Sequence, residues 1–308
     1  MKKLLFILAI FSSSFSLAQK GNEPSQPQEE LENKPNLEIK KSNKDSLKNV
    51  NDSLFQSNVL AELTKLKSLI EKGEKDTLVE VGTIRLKGKT FTDPIDGKSF
   101  KKFLSYGYET QRDNVLSPST LSLERHRLLW LYLKSETNFF TAPLKMLHFA
   151  PEQSFYKRFR KMKNLDYTTT DLESPLADVK ADICNLPFKD NSFDVILCNH
   201  VLEHIPDDTK AMQELYRVLK PKGWAVLQIP QDLKREKTFA DDSITDKKER
   251  AKIFGQYDHV RIYGRDYFDK LRSIGFTVDE VDYTVTLSEE KVKEYCLAKG
   301  EIIPVVRK

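Results

Sequence analysis

"DICNLPFKDNSFDVILCNHVLEHIPDDTKAMQELYRVLKPKGWAVLQIP", Asp182 to Pro230, sets two apolar strands around one amphipathic helix. Phe193 to Cys198 is a short, mostly apolar run of the kind that forms a strand buried on both faces. Asp207 or Asp208 is placed to cap the helix that follows, and Ala211, Met212, Leu215, Val218 and Leu219 share one of its faces. Pro221-Lys222-Gly223 is expected to stop that helix and turn the chain into a second strand, Trp224 to Ile229.

The same alternation continues outward. Upstream, strands are expected at Met146 to Phe149, at Tyr167 to Thr170 and, briefly, near Val179. Downstream, a polar stretch from Gln231 to Asp258 precedes "GRDYFDKLRSIGFTV", a helix ending at Gly275 and then another strand. Strands and helices alternating from Lys145 onward specify an α/β fold whose parallel sheet carries helices on both faces. The turn after the first strand reads Phe149-Ala150-Pro151-Glu152. It lacks the glycines that bring a backbone close to a ligand, and Pro151 has no N–H to offer a phosphate.

Asp182 before an "LPF" turn, "SFDVI" opening a strand, "LEHIPD" after it, a helix closing on "RVLKPKG" and a strand closing at Pro230 stand in one order. This run resembles the central motifs of class I S-adenosylmethionine-dependent methyltransferases, in particular the methyltransferase type 11 group, and the resemblance covers Lys145 to Phe276. It implies a Rossmann-like, mostly parallel sheet, S-adenosyl-L-methionine as cofactor, and in-line methyl transfer to an O, N or C nucleophile of a small-molecule or lipid-like acceptor. By the same resemblance Asp171 ends the second strand and takes the ribose, Asp182 with Ile183 beside it lies by the adenine, and Asn199 and His200 face the methionine moiety and the reacting methyl.

His148 stands where the family carries an acidic residue, and Ala150, Pro151 and Glu152 replace its glycine run. S-adenosylmethionine has a sulfonium and an ammonium but no phosphate, so the Glu152 carboxylate suits it, and the small Ala150 leaves room for close approach. His200 and His259, the latter in "YDHVRIYG" near Tyr263, are the general-base candidates. His204 reads as structural, fixing the entry to the following helix.

Composition narrows the remaining classes. The 308 residues are 39% hydrophobic and 10% aromatic, enough for at least one sizeable core. Fifty basic against 46 acidic residues leave a net charge of only +4, so no basic surplus points to nucleic acid. Cys184, Cys198 and Cys296 form no C-x-x-C pair and read as ordinary buried thiols. The cluster Lys157, Arg158, Arg160, Lys161 and Lys163 is a solvated face, a membrane-surface contact or a contact for an anionic substrate. The stretch from Gln231 to Asp258 has the character of a lid or substrate-selecting insertion, with Asp232, Arg235 and Glu236 either at the acceptor or in solvent.

Five segments are expected: a signal peptide at 1–18, a disordered linker at 19–53, an amphipathic helix at 54–74, a small β-rich ribbon-like module at 75–120 and the methyltransferase domain at 121–308. The stripe from Leu54 to Ile70 docks in cis or pairs with a second copy. Within the module, "TLVEVGTIRLKGKTF" alternates like a strand. The helix "LSLERHRLLWLYLK" resembles that of relatives that look as though they carry a zinc ribbon before it, with paired cysteines at two-residue intervals; those places here read Asp93, Asp96, Ser117 and Thr120. Without thiolates no bound metal is expected, and the module should rest on Phe100, Phe103, Leu104 and Tyr106. Thr120 or Ser122 is available to cap that helix, and Pro304 should leave the last strand short or bulged.

"MKKLLFILAIFSSSFSLA" has a basic start, an apolar middle and a small-residue cleavage signature, so the chain is expected to be exported or membrane-associated. Residence in the cytoplasm, where the methyl donor is made, is the alternative. Two functions follow: a methyltransferase, or a catalytically silent binding module of the cell envelope on the same scaffold.

Overall fold

The computed structural model describes Val79, residues 82–107 and residues 111–308. The signal peptide, the linker and the amphipathic helix expected before them lie outside the described residues. Gly82–Lys308 is one compact unit, and no described helix is long and apolar enough to cross a membrane.

Two short antiparallel hairpins come first: β1 (Lys87–Thr92) with β2 (Ser99–Phe100), and β3 (Leu104–Tyr106) with β4 (Arg112–Leu116). The strand expected from Thr77 is shorter than its alternation suggested. Residues 82–85 are helical, and the Leu86 N–H closes back on the Gly82 carbonyl at 3.0 Å. Phe100 and Phe103 are buried and meet edge to face at 5.9 Å, forming the centre expected for this module.

Asp93, one of the four positions expected to lack zinc ligands, is fully buried and accepts from Thr120 Oγ1 at 2.5 Å, Ser122 Oγ at 3.0 Å and the Ile95 N–H at 2.9 Å. These hydroxyls therefore do not cap α1 (Glu124–Glu136). Its N-cap is Leu123, whose N–H donates to His126 Nδ1 at 3.1 Å. Arg127, also fully buried, gives hydrogen bonds to the carbonyls of Val115, Ser122, Tyr295 and Cys296 and lies over the Phe103 ring, joining the hairpins to the rest of the unit.

The following elements are β5 (Leu144–Phe149), α2 (Gln153–Phe159), β6 (Leu165–Asp171), β7 (Val179–Lys180), β8 (Phe193–Cys198), α3 (Asp208–Val218), β9 (Leu219–Val226), β10 (Phe239–Ala240), α4 (Lys247–Phe254), β11 (Arg261–Ile262), α5 (Tyr267–Ile274), β12 (Thr277–Asp282), α6 (Glu289–Glu294) and β13 (Ile302–Arg307). The main sheet has seven strands in the order β12-β13-β9-β8-β5-β6-β7. β9, β8, β5, β6 and β7 run parallel; β13 is antiparallel to both of its neighbours. It is a Rossmann-like, mostly parallel sheet, as the resemblance implied.

Side chains alternate across this sheet with the strand period of two. Leu147, Phe149, Ile196 and Cys198 pack toward α3 and α5, while Met146, Val195 and Leu197 pack toward α1 and α2. Asp207 caps α3, accepting from the Lys210 N–H, and Gly275 ends α5 with φ at 117°.

Pro221-Lys222-Gly223 does not separate helix from strand. β9 begins at Leu219, paired with Phe193, and the three residues form a bulge inside it before Trp224 pairs with Val195. A side chain at Gly223 would sit 2.9 Å from the Lys220 carbonyl oxygen, so the bulge closes only around a glycine. Pro304 also departs from expectation: all six residues of β13 pair with β12 without irregularity. The Pro304 carbonyl accepts from Leu227 just beyond the β13–β9 pairing that begins at Val305. In an antiparallel strand the N and C=O of one residue point to the same side, so the missing N–H faces β9 and leaves the β12 ladder intact, and the Leu227 carbonyl opposite it accepts from the Tyr267 hydroxyl at 2.7 Å instead.

Candidate functional site

The strand order reverses at β5: β6 and β7 continue to one side, β8 and β9 to the other. An open α/β sheet leaves a crevice at such a switch point, beyond the carboxyl ends of its strands. Here those ends are the turns after Phe149 and Cys198. Both contain a non-glycine residue in the left-handed region, Ala150 at φ 42° and His200 at φ 54°. The Ala150 N–H bonds to the Thr170 carbonyl at 2.9 Å and the His200 N–H to the Gln228 carbonyl at 2.7 Å, fixing each turn to the neighbouring strand. The first turn thus holds a conformation that glycine would adopt freely, at a cost of about 1–2 kcal/mol.

Glu152 ties the two strand ends together. Its Oε2 lies 2.5 Å from His148 Nε2, and its Oε1 accepts from Asn199 Nδ2 at 3.1 Å. His148, with no exposed surface, turns its other nitrogen to the Tyr167 hydroxyl at 2.8 Å. Burial by itself would raise the Glu152 carboxyl, but the His148 imidazole, with His126 nearby, brings it down to about 2. Tyr167 moves the opposite way, raised by burial and then by the Glu152 charge. Three expected site residues, His148, Glu152 and Asn199, therefore meet as one polar network around an ionised carboxylate.

Asp171 closes β6, as expected, and its Oδ1 accepts from the N–H groups of Glu173 and Ser174 at 2.9 and 2.8 Å. Asp182 lies exposed in the loop after β7 with its Oδ1 on the Cys184 N–H at 2.9 Å. Each aspartate shapes its own turn through one oxygen. Ile183 is buried among Phe149, Leu186 and Cys198 and forms part of the wall behind that loop. Leu172, next to Asp171, is 66% exposed, an apolar side chain left uncovered at the carboxyl edge of the sheet.

Beyond β8, His200, Glu203, His204 and His259 form a second cluster. Glu203 is buried in the single-turn helix Leu202–His204 and has His200 Nδ1 at 3.3 Å, His204 Nε2 at 3.9 Å and His259 Nε2 at 4.0 Å from its Oε1. Burial lowers His200 and His259 from the usual histidine range, and the Glu203 charge opposes it. Tyr263 does not serve either histidine. It is fully buried and donates to Asp208 Oδ2 at 2.7 Å, within a group that includes Arg261 and Lys270.

Residues 146–227 match the family model described as "Methyltransferase domain". This segment is a methyltransferase domain. The chain is 42% identical over 76 residues to an uncharacterized protein of Methanocaldococcus jannaschii, covering 24% of this chain and 33% of that one. It is 31% identical over 116 residues to 2-phytyl-1,4-naphtoquinone methyltransferase of Nostoc punctiforme, covering 33% of this chain and 50% of that enzyme. The chain spans half or less of the length of these relatives. A solved S-adenosylmethionine-dependent methyltransferase from Mesorhizobium loti superposes with a TM-score of 0.40 at 15% identity, over 59% of this chain and 98% of that one.

In the methyltransferase domain the expected residues fall into separate groups. His148, Ala150, Glu152 and Asn199 converge on the switch point; Asp171 and Asp182 stand on successive loops at the same edge; His200 and His259 belong to the Glu203 cluster. Leu172 and Glu203 were not singled out from the sequence. The apolar Leu172 directly after a strand-ending aspartate was the legible signal for the first; for the second, the neighbouring His200 and His204 were a local signal, whereas its third partner, His259, comes from a distant segment. A cleft of about 710 Å³ elsewhere, lined by Phe91, Asp113, Glu124, Lys293 and Leu297 among others, includes none of these residues.

Proposed function

We propose that the methyltransferase domain binds S-adenosylmethionine at the β5–β8 switch point and transfers its methyl group to a small-molecule acceptor. The observation that carries this reading is Glu152, an ionised and nearly enclosed carboxylate held between His148 and Asn199 at the ends of the two switch strands. A ligand with an ammonium and a sulfonium fits such a place, and each Glu152 oxygen keeps a further lone pair for it. Asp171 suits a ribose hydroxyl, and the exposed Leu172 suits the face of an adenine, with Asp182 and Ile183 beyond it.

When bound, the cofactor supplies an electrophilic methyl carbon on a good leaving group. The chain's contribution is to bind and orient, which can provide most of the acceleration. His200, on the turn after β8, is the side chain of this edge suited to take a proton from an acceptor hydroxyl or amine. The naphtoquinone methyltransferase of Nostoc supports a small, ring-bearing acceptor. A silent scaffold has no comparable support.

Calorimetric titration of the purified chain with S-adenosylmethionine and S-adenosylhomocysteine tests the reading. Binding weakened at least tenfold by Asp171→Ala is expected; wild-type protein giving no heat with either compound would overturn it. Setting is a separate proposal. Processing after Ala18 would place the domain away from its donor and favour the scaffold, so the N-terminal mass of the chain in cell fractions discriminates the two.

A further inference from the structure

Glu203 is 1% exposed, and among the described residues neither of its oxygens has a hydrogen-bond partner. His200 Nδ1, at 3.3 Å, is at ion-pair distance without hydrogen-bond geometry. A buried carboxylate without a hydrogen-bond donor calls for a partner that the protein's own side chains do not supply.

The two rings that face it are oriented by backbone. His259 Nδ1 lies 3.0 Å from the Phe254 carbonyl and His204 Nδ1 lies 3.3 Å from the Asp258 carbonyl. A carbonyl only accepts, so each Nδ1 carries a hydrogen, which leaves each Nε2, the nitrogen facing Glu203, as the one available to bind a metal ion. Fixing the remote nitrogen on a carbonyl is how metal-ligating histidines are set. Three electron-pair donors, one of them anionic, thus converge with no hydrogen between them. Their ligand atoms lie within 4.8 Å of one another. A tetrahedral ion with ligands at about 2.0–2.1 Å holds them roughly 3.3 Å apart, so small rotations close the set.

We propose that Glu203, His204 and His259 bind one divalent transition-metal ion, of which Zn²⁺ is the best match to a nitrogen-and-carboxylate set. The site stands apart from the zinc-ribbon positions, where no metal was expected, and uses no cysteine. Three protein ligands leave a coordination position open, and His200 lies beside it on the turn after β8. If the proposed methyl transfer holds, an acceptor oxygen taken up at that position would lose its proton more readily. That role rests on the proposed function; the metal site does not.

Zn²⁺ binding to the purified full-length chain, stripped of metal, is measured by equilibrium dialysis, and Co²⁺ is added separately to read its visible absorption. One ion per chain is expected, with ligand-field bands for Co²⁺ and affinity reduced at least tenfold by His259→Ala and by His204→Ala. His204 is 28% exposed, so its variant retains the fold, as thermal melting of the metal-free protein verifies. Absence of binding to the wild type overturns the site, and so does wild-type affinity in His204→Ala. Neither outcome bears on binding of S-adenosylmethionine.

Discussion

Asn199 Nδ2 donates to Glu152 Oε1 at 3.1 Å, so the residue after β8 is joined to the turn after β5 across the point where the sheet reverses its order. The same carboxylate is held from the other side by His148. One side chain therefore links the ends of the two switch strands and places a carboxylate between them.

Replacing Glu152 by Gln keeps the shape of that link and removes the charge. Binding of S-adenosylmethionine should weaken at least tenfold, whereas the melting temperature should fall by only a few degrees, about the effect of one charge-assisted hydrogen bond. Calorimetry and thermal melting on the same protein check this; unchanged affinity would remove Glu152 from the site.

Ala150 adopts φ 42° where glycine would carry no penalty. Ala150→Gly relieves about 1–2 kcal/mol of backbone strain and returns about 0.5–1 kcal/mol through the freer unfolded chain, so the net change should be neutral to stabilising by about 1 kcal/mol. Ala150→Val should be clearly destabilising, because a β-branched residue tolerates this conformation worst. Denaturant unfolding of both variants reads the sign.

His126 is buried, its Nδ1 accepts from the Leu123 N–H, and among the described residues its Nε2 has no partner. Burial, reinforced by Arg125, holds its pKa well below 6.5, so the folded ring stays neutral while the unfolded ring takes a proton. Its contribution to stability is complete above 6.5 and is lost as the pH falls from there toward the folded pKa. His200 and His259, also lowered, act in the same direction. Acidification from about pH 7.5 to 5.5 should lower the melting temperature by on the order of 5 °C, and His126→Asn should flatten that slope. A melting temperature that holds constant or rises over this range would contradict the assignment.

Asp208, at the start of α3, pairs with Arg261 at 2.5 Å and with Lys270 and accepts from Tyr263. Arg261 is 6% exposed, so Asp208→Ala leaves a buried guanidinium without its counter-charge. A loss of about 3–5 kcal/mol is expected in urea unfolding, and less for Asp208→Asn, which keeps an acceptor.

The local periods of strand and helix made β5, β6, β8, α3 and α5 legible in the sequence, and Gly275 marked the end of α5 because a left-handed cap needs that residue. The aspartate ending β6 could also be placed from its position alone. Side-chain partners were decided only by the tertiary structure. Glu152 meets Asn199 because of the strand order, and Glu203 meets His259 because the Val260 N–H bonds to the Glu203 carbonyl at 3.0 Å, and no period in the chain encodes either meeting. Pro304 and Pro221 show the same division: each breaks a ladder in principle, and whether it does depends on which neighbouring strand was due to bond there.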